Sequence, residues 1–167
     1  MSRFRVFQFV VLTALAAVVV AGAASQEAGP IAYPDGYRKW THVKSMVIHD
    51  PSHALFNAFG GIHHVYVNAK GAEAMRKGGT SYPDGTVFVF DLLEANLERG
   101  AYLEGKRKVL AVMVKDRARF AATGGWGWEA FAEGNPQERT VKDAAAECFA
   151  CHKPQAKTDH VYSAWRP

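Results

Sequence analysis

Cys148-Phe149-Ala150-Cys151-His152 sets two thiols three residues apart, with an imidazole directly after the second. C-x-x-C-H is the attachment signature of c-type haem. The thiols add across the two vinyl groups as thioethers, and the following histidine reaches the iron as proximal ligand. No other cysteine competes for the box. Zinc would need a further ligand pair at short spacing, and His160, eight residues beyond His152, is a poor match. A redox dithiol would need the box beside a βαβ unit, and none is legible. The expected cofactor is one haem c, held by Cys148 and Cys151 with His152 on the metal.

The position opposite His152 decides the chemistry. A methionine or histidine there makes a closed electron-transfer site, and an open position makes a gas-binding or catalytic one. Met46, Met75 and Met113 are available, as are His42, His49, His53, His63, His64 and His160. Each has an ordinary packing or surface role as its alternative. His63 and His64 are neighbours in a strand-like run and point to opposite faces, so only one of them can reach the haem.

Haem c is completed outside the cytoplasm, and the chain begins accordingly. Arg3 and Arg5 form a basic head, Val6 to Val20 is apolar apart from Gln8 and Thr13, and small residues follow at 21–25. This pattern reads as a secretory signal peptide over residues 1–24, cleaved between 23 and 25. The apolar run is short for a membrane span, which takes about 20 residues. Residues 25–167 are then a single monohaem domain in the periplasm. The formal net charge is +4. It falls to about +2 once Arg3 and Arg5 leave with the leader, and two haem propionates would roughly cancel the rest. No clustered basic face for nucleic acid is visible. The one tight basic run, Lys106-Arg107-Lys108, reads as a solvated hairpin turn after Gly105.

The elements that must carry the box are mostly strands. Residues 43–48, 62–67, 86–90 and 126–131 are rich in β-branched and aromatic side chains. Alternation puts Thr86, Phe88, Phe90 and Leu92 on one face and Val87, Val89 and Asp91 on the other. Ala101 to Glu104 and Lys108 to Val114 read as hairpin partners across Gly105. Asn68 caps an expected helix from Ala69 to Lys77, ended by Gly78-Gly79. Residues 35–40 suggest a helical turn. Thr140 to Cys151 reads as a helix, capped by Thr140 with Asp143 in its first turn, delivering the box. Tyr162 and Trp165 stand ready to close over one side of the haem. The expected class is α+β: one antiparallel, sheet-rich domain with a few helices, the C-terminal one carrying the haem box.

Several segments recur in a familiar order: Tyr37-Arg38-Lys39-Trp40, Val65-Tyr66-Val67, Asp84-Gly85-Thr86-Val87, Val114-Lys115-Asp116, the haem box with Lys153, and Ala156-Lys157-Thr158-Asp159 with Val161-Tyr162. Together they resemble the cytochrome P-460 and cytochrome c-prime-beta family over nearly the whole mature chain. That resemblance implies a small periplasmic haem protein, usually a homodimer, with five-coordinate haem and an open distal side. P-460 members oxidise hydroxylamine, carry a lysine cross-linked to the haem edge and use a distal glutamate for proton transfer. Members of the c-prime-beta group lack the cross-link, cap the iron with phenylalanines and bind nitric oxide or carbon monoxide.

Here the cross-linking lysine would fall at Phe90 and the acid at or near Ala111. Phenylalanine has no amine to join a haem carbon, and alanine cannot shuttle a proton. The position of a distal arginine falls near His63. The departures point to the c-prime-beta side, with Phe59 and Phe90 as the distal cap and Phe88 in reserve on the same face. Each of these rings would otherwise be ordinary core. The expected partners are a diatomic gas and a small redox protein. Hydroxylamine oxidation at a P-460-type site, and electron transfer with a protein-derived sixth ligand, are the alternatives.

Overall fold

The computed structural model describes residues 29–167. The expected signal peptide and its expected cleavage point lie outside the described residues. Five strands form one antiparallel sheet in chain order: β1 (Thr41–Ile48), β2 (Gly61–Val67), β3 (Val87–Glu98), β4 (Ala101–Lys115) and β5 (Trp126–Ala132). A short helix, α1 (Phe56–Phe59), precedes β2, and α2 (Ala69–Arg76) links β2 to β3. The fold is the α+β sheet that the alternating pattern implies.

Up to Leu93 on β3 and from Leu110 on β4 both faces of the sheet are covered, which is why these stretches are so apolar. On one face Val67, Phe88, Met113, Trp126 and Trp128 form a core with Met75 and Tyr82, and Cys148 and Phe149 pack against it. On the other, Val89, Leu110, Val112 and Phe131 pack with Ile31 and Tyr37.

Asn68 caps α2 as expected, its side-chain oxygen accepting the Gly71 N–H at 3.1 Å. The helix lies so close to the sheet that a Cβ on Gly71 would fall 2.4 Å from Val67 Cγ2 and 2.7 Å from Thr86 Cγ2. Gly71→Ala therefore sets a helix-propensity gain of about 1 kcal/mol against an overpacking cost of about 1–3 kcal/mol. The clash wins, and the urea midpoint of the variant is expected to fall. A midpoint at or above that of the parent would show that α2 can ride up at no cost.

Two local expectations are overturned. There is no hairpin at Gly105: β4 runs unbroken through it, and the turn sits at Arg99 (φ 49°) and Gly100 (φ 84°). Positive φ at both central residues matches the twist of the strands it joins. Gly105 instead lies where the register slips, with Leu93 opposite Arg107 and Ala95 opposite Glu104. A Cβ there would meet Asn96 Nδ2 at 2.6 Å. Lys106-Arg107-Lys108 is accordingly strand, not turn, and Arg107 turns inward onto Asp91. Thr140 does not cap the last helix either, because its N–H and its hydroxyl both donate to the Ala130 carbonyl, at 2.9 and 3.3 Å, turning it onto β5. Asp143 is the cap, accepting the N–H groups of Ala145 and Ala146 at 3.0 and 3.1 Å.

Candidate haem site

The haem box sits on a short composite helix laid against the sheet. A π-helical turn spans Ala145–Phe149, α3 covers Ala150–His152, and a 3₁₀ segment, Lys153–Thr158, follows. In the π turn the Ala150 N–H reaches back to the Ala145 carbonyl. Cys148 and Cys151, three apart, share a helix face. Both are free thiols; Cys148 is half-buried against the core and Cys151 is exposed. Burial pushes the Cys148 thiol up to about 11, so it stays protonated at neutral pH.

His152 is held on three sides. The Trp128 ring lies 4.4 Å away, centroid to centroid, and the Tyr162 ring 5.1 Å, edge-on. The Tyr162 hydroxyl donates to the Cys151 carbonyl at 2.6 Å, fastening the tail to the box. Trp165 goes elsewhere, packing against the core under Arg76 at 4.7 Å. His152 Nδ1 lies 2.8 Å from the His160 carbonyl oxygen. A carbonyl only accepts, so Nδ1 carries the proton and Nε2 keeps its lone pair. Burial holds the imidazole below its ordinary pKa, the bond to His160 only partly opposing this. The ring is thus neutral, with one nitrogen available for a metal, as a histidine ligand requires.

The sheet beneath is ordered in cross-strand rows. Trp128, Met113, Phe88 and Val67 form one, and Ala130, Ala111, Phe90 and Val65 the next. Ala132, Val109, Leu92 and His63 form the third. His152 stands over the first row. The second offers the two small side chains Ala130 and Ala111, a shallow floor that any larger residue would fill. Trp128 Nε1 is buried beside His152 without a partner among the described residues, a donor available to an acceptor on a bound group. Paired thiols, an oriented neutral imidazole, a floor of alanines and a free indole N–H fit a haem.

The structure brings Phe59, Phe90 and His63 together. The Phe59 and Phe90 rings meet edge-on at 5.7 Å, and His63 and Phe90 at 4.8 Å. Phe88 lies apart, buried between Tyr82 (5.3 Å) and Trp126 (6.1 Å). His63 is buried, and its Nε2 hydrogen-bonds to the Phe59 carbonyl. Burial lowers its pKa, so it is neutral; Nε2 carries the proton, and the buried, unpartnered Nδ1 is a bare acceptor. His64 faces the other side of the sheet, in a chain from His42 through Ser45 to His64 and Glu104 with links of 2.9, 2.7 and 2.6 Å.

Sequence reasoning missed the clasp behind the box. Lys115 on β4 is buried, with Nζ 2.6 Å from Asp159 Oδ1 and 3.0 Å from the Gly124 carbonyl. Both Lys115 and Asp159 belong to recurring segments, and that recurrence was the one signal available.

Residues 34–163 match the family model described as cytochrome P460. No curated protein matches the chain.

Proposed function

The chain belongs to the cytochrome P460 family, and on that premise we propose that it is a c-type haem protein of the c-prime-beta kind, binding nitric oxide or carbon monoxide. Cys148 and Cys151 would hold the haem and His152 would ligate its iron. A haem bound there would supply an iron able to take a small diatomic ligand.

One observation carries this reading. The two positions where P-460 chemistry would need a lysine and an acid are direct cross-strand partners, Phe90 and Ala111, in the row next to the one under His152. Neither can supply a nucleophile or a proton. The rings of Phe59 and Phe90, in edge-on contact, make the neighbouring surface apolar. His63 adds no donor, because its single N–H is engaged by the Phe59 carbonyl. Dioxygen gathers negative charge when bound and benefits from a donor; carbon monoxide and nitric oxide depend on one much less. The export leader at residues 1–24 supports a periplasmic location. Among the described residues the β3–β4 ribbon beyond Leu93 pairs with no third strand and leaves Leu97, Tyr102 and Leu103 exposed, in support of a homodimer.

The expected result is a ferrous, five-coordinate spectrum that changes fully with nitric oxide or carbon monoxide and forms no long-lived dioxygen complex. Hydroxylamine with an artificial electron acceptor is expected to give no turnover. A low-spin six-coordinate ferrous spectrum before gas is added would instead assign electron transfer. Steady hydroxylamine oxidation would assign the P-460 reaction.

A further inference from the structure

The proximal hydrogen bond rests on an unfavourable piece of backbone. The acceptor carbonyl belongs to His160 (φ 68°), which follows Asp159 (φ 50°), so two successive non-glycine residues are left-handed. L-residues resist this conformation, and a pair of them persists only where the surroundings impose it. Asp159 is held from every side. Its Oδ1 accepts from Lys115 Nζ at 2.6 Å, its Oδ2 from the Tyr82 N–H at 2.9 Å, and its carbonyl from Trp126 Nε1 at 2.8 Å. The His160 N–H is tied to the Gln155 carbonyl at 2.8 Å. Lys115 also lies 4.8 Å over the Trp126 ring, with its side chain only 2% exposed. Gly124, itself at φ 68°, leaves the space the His160 ring needs: a Cβ there would sit 2.6 Å from its Nε2.

A buried ion pair is a costly way to dock a tail that apolar side chains would dock as well. Its geometry explains its presence. We infer that Lys115 is a positioning residue for the iron ligand: through Asp159 it holds the left-handed turn that sets the His160 carbonyl against His152 Nδ1. That hydrogen bond makes the imidazole a stronger donor, which favours the ferric state. The inference rests on the haem reading above.

The test uses the haem-loaded protein with Lys115→Met and Asp159→Asn, read by the iron–histidine stretching band of the ferrous state and by the midpoint potential. Both variants are expected to keep covalent haem, shift the band to lower frequency and raise the potential. A second pair covers the case in which they do not fold. His160→Gly suits a left-handed position and is expected to keep the parental band, whereas His160→Val resists it and is expected to shift the band to lower frequency. Both lack the imidazole, so the difference isolates the backbone. Parental band and potential in Lys115→Met and Asp159→Asn, or in His160→Val, would overturn the inference while leaving the haem reading intact. A parent protein without covalent haem would overturn both.

Discussion

Serine at both Cys148 and Cys151 is expected to abolish haem that survives denaturation, leaving no haem-stained band on a denaturing gel. The thioethers are the only covalent bonds the box can make, and a hydroxyl does not replace a thiol in that addition. Each single variant keeps one thiol and is expected to retain a weaker stained band with a shifted spectrum. The apoprotein fold should survive the double change. Cys151 is exposed and Cys148 only half-buried, so the apolar area given up is small. Far-ultraviolet circular dichroism of the double variant separates loss of attachment from loss of structure. A folded double variant that still holds haem through denaturation would show that another residue makes the link.

The second large effect lies on the opposite face of the sheet and does not involve haem. Asp91→Asn is expected to cost about 3–5 kcal/mol of stability, on the order of 10 °C in Tm. Asp91 is fully buried. Arg107 Nε donates to Oδ1 at 2.6 Å, Arg38 Nη2 to Oδ2 at 3.1 Å, and the Tyr37 hydroxyl also donates to Oδ2. Burial alone would raise the carboxyl pKa, but the hydrogen bonds from Arg107 and Tyr37 outweigh it, and the group sits below its ordinary 3.8. Tyr37, desolvated and facing a carboxylate, is pushed up to about 12 and stays a donor. Asparagine keeps the shape and removes the charge, leaving Arg107 half-buried without its partner. Most of the loss comes from that uncompensated cation. Arg38 adds little, since its side chain is 56% exposed and solvent screens it.

The same pair dictates a pH dependence. A carboxyl whose folded pKa is depressed contributes stability that is fully present above the unfolded value and lost as pH falls through the folded one. The stability gap between parent and Asp91→Asn should therefore hold from neutral pH down to about 4 and close below the ordinary 3.8. Urea titrations of both proteins across that range measure it. A gap that persists unchanged well below pH 3.8 would mean that the cost is one of packing and not of charge.

How far these effects were legible differs by residue. Strand alternation alone divides Phe88 and Phe90 from Asp91, as the structure does, because it is a backbone property that needs no partner. Gly105 reads as a turn from its sequence, which puts Arg107 in solvent, whereas β4 runs through it. The true turn has Gly100 at its second central position but puts Arg99, a residue that rarely adopts a left-handed conformation, at the first, so its signal is weak. Asp143 and not Thr140 caps the helix because Thr140 bonds to Ala130 of β5, a contact outside the helix's own sequence window.

The C-x-x-C-H box, the strand periodicity and the ordered motifs were enough to determine the family and the sheet-rich fold. They also pointed to the haem and to the missing lysine and acid. All of these are written in residue types at short spacing. Only the tertiary structure decided which histidine faces which side of the sheet and which nitrogen of His152 carries its proton. It alone paired Phe90 with Ala111, and it joined Lys115 to Asp159 across 44 residues of chain. Those outcomes depend on register, burial and a carbonyl's position, and a sequence does not specify any of them until the strands have paired.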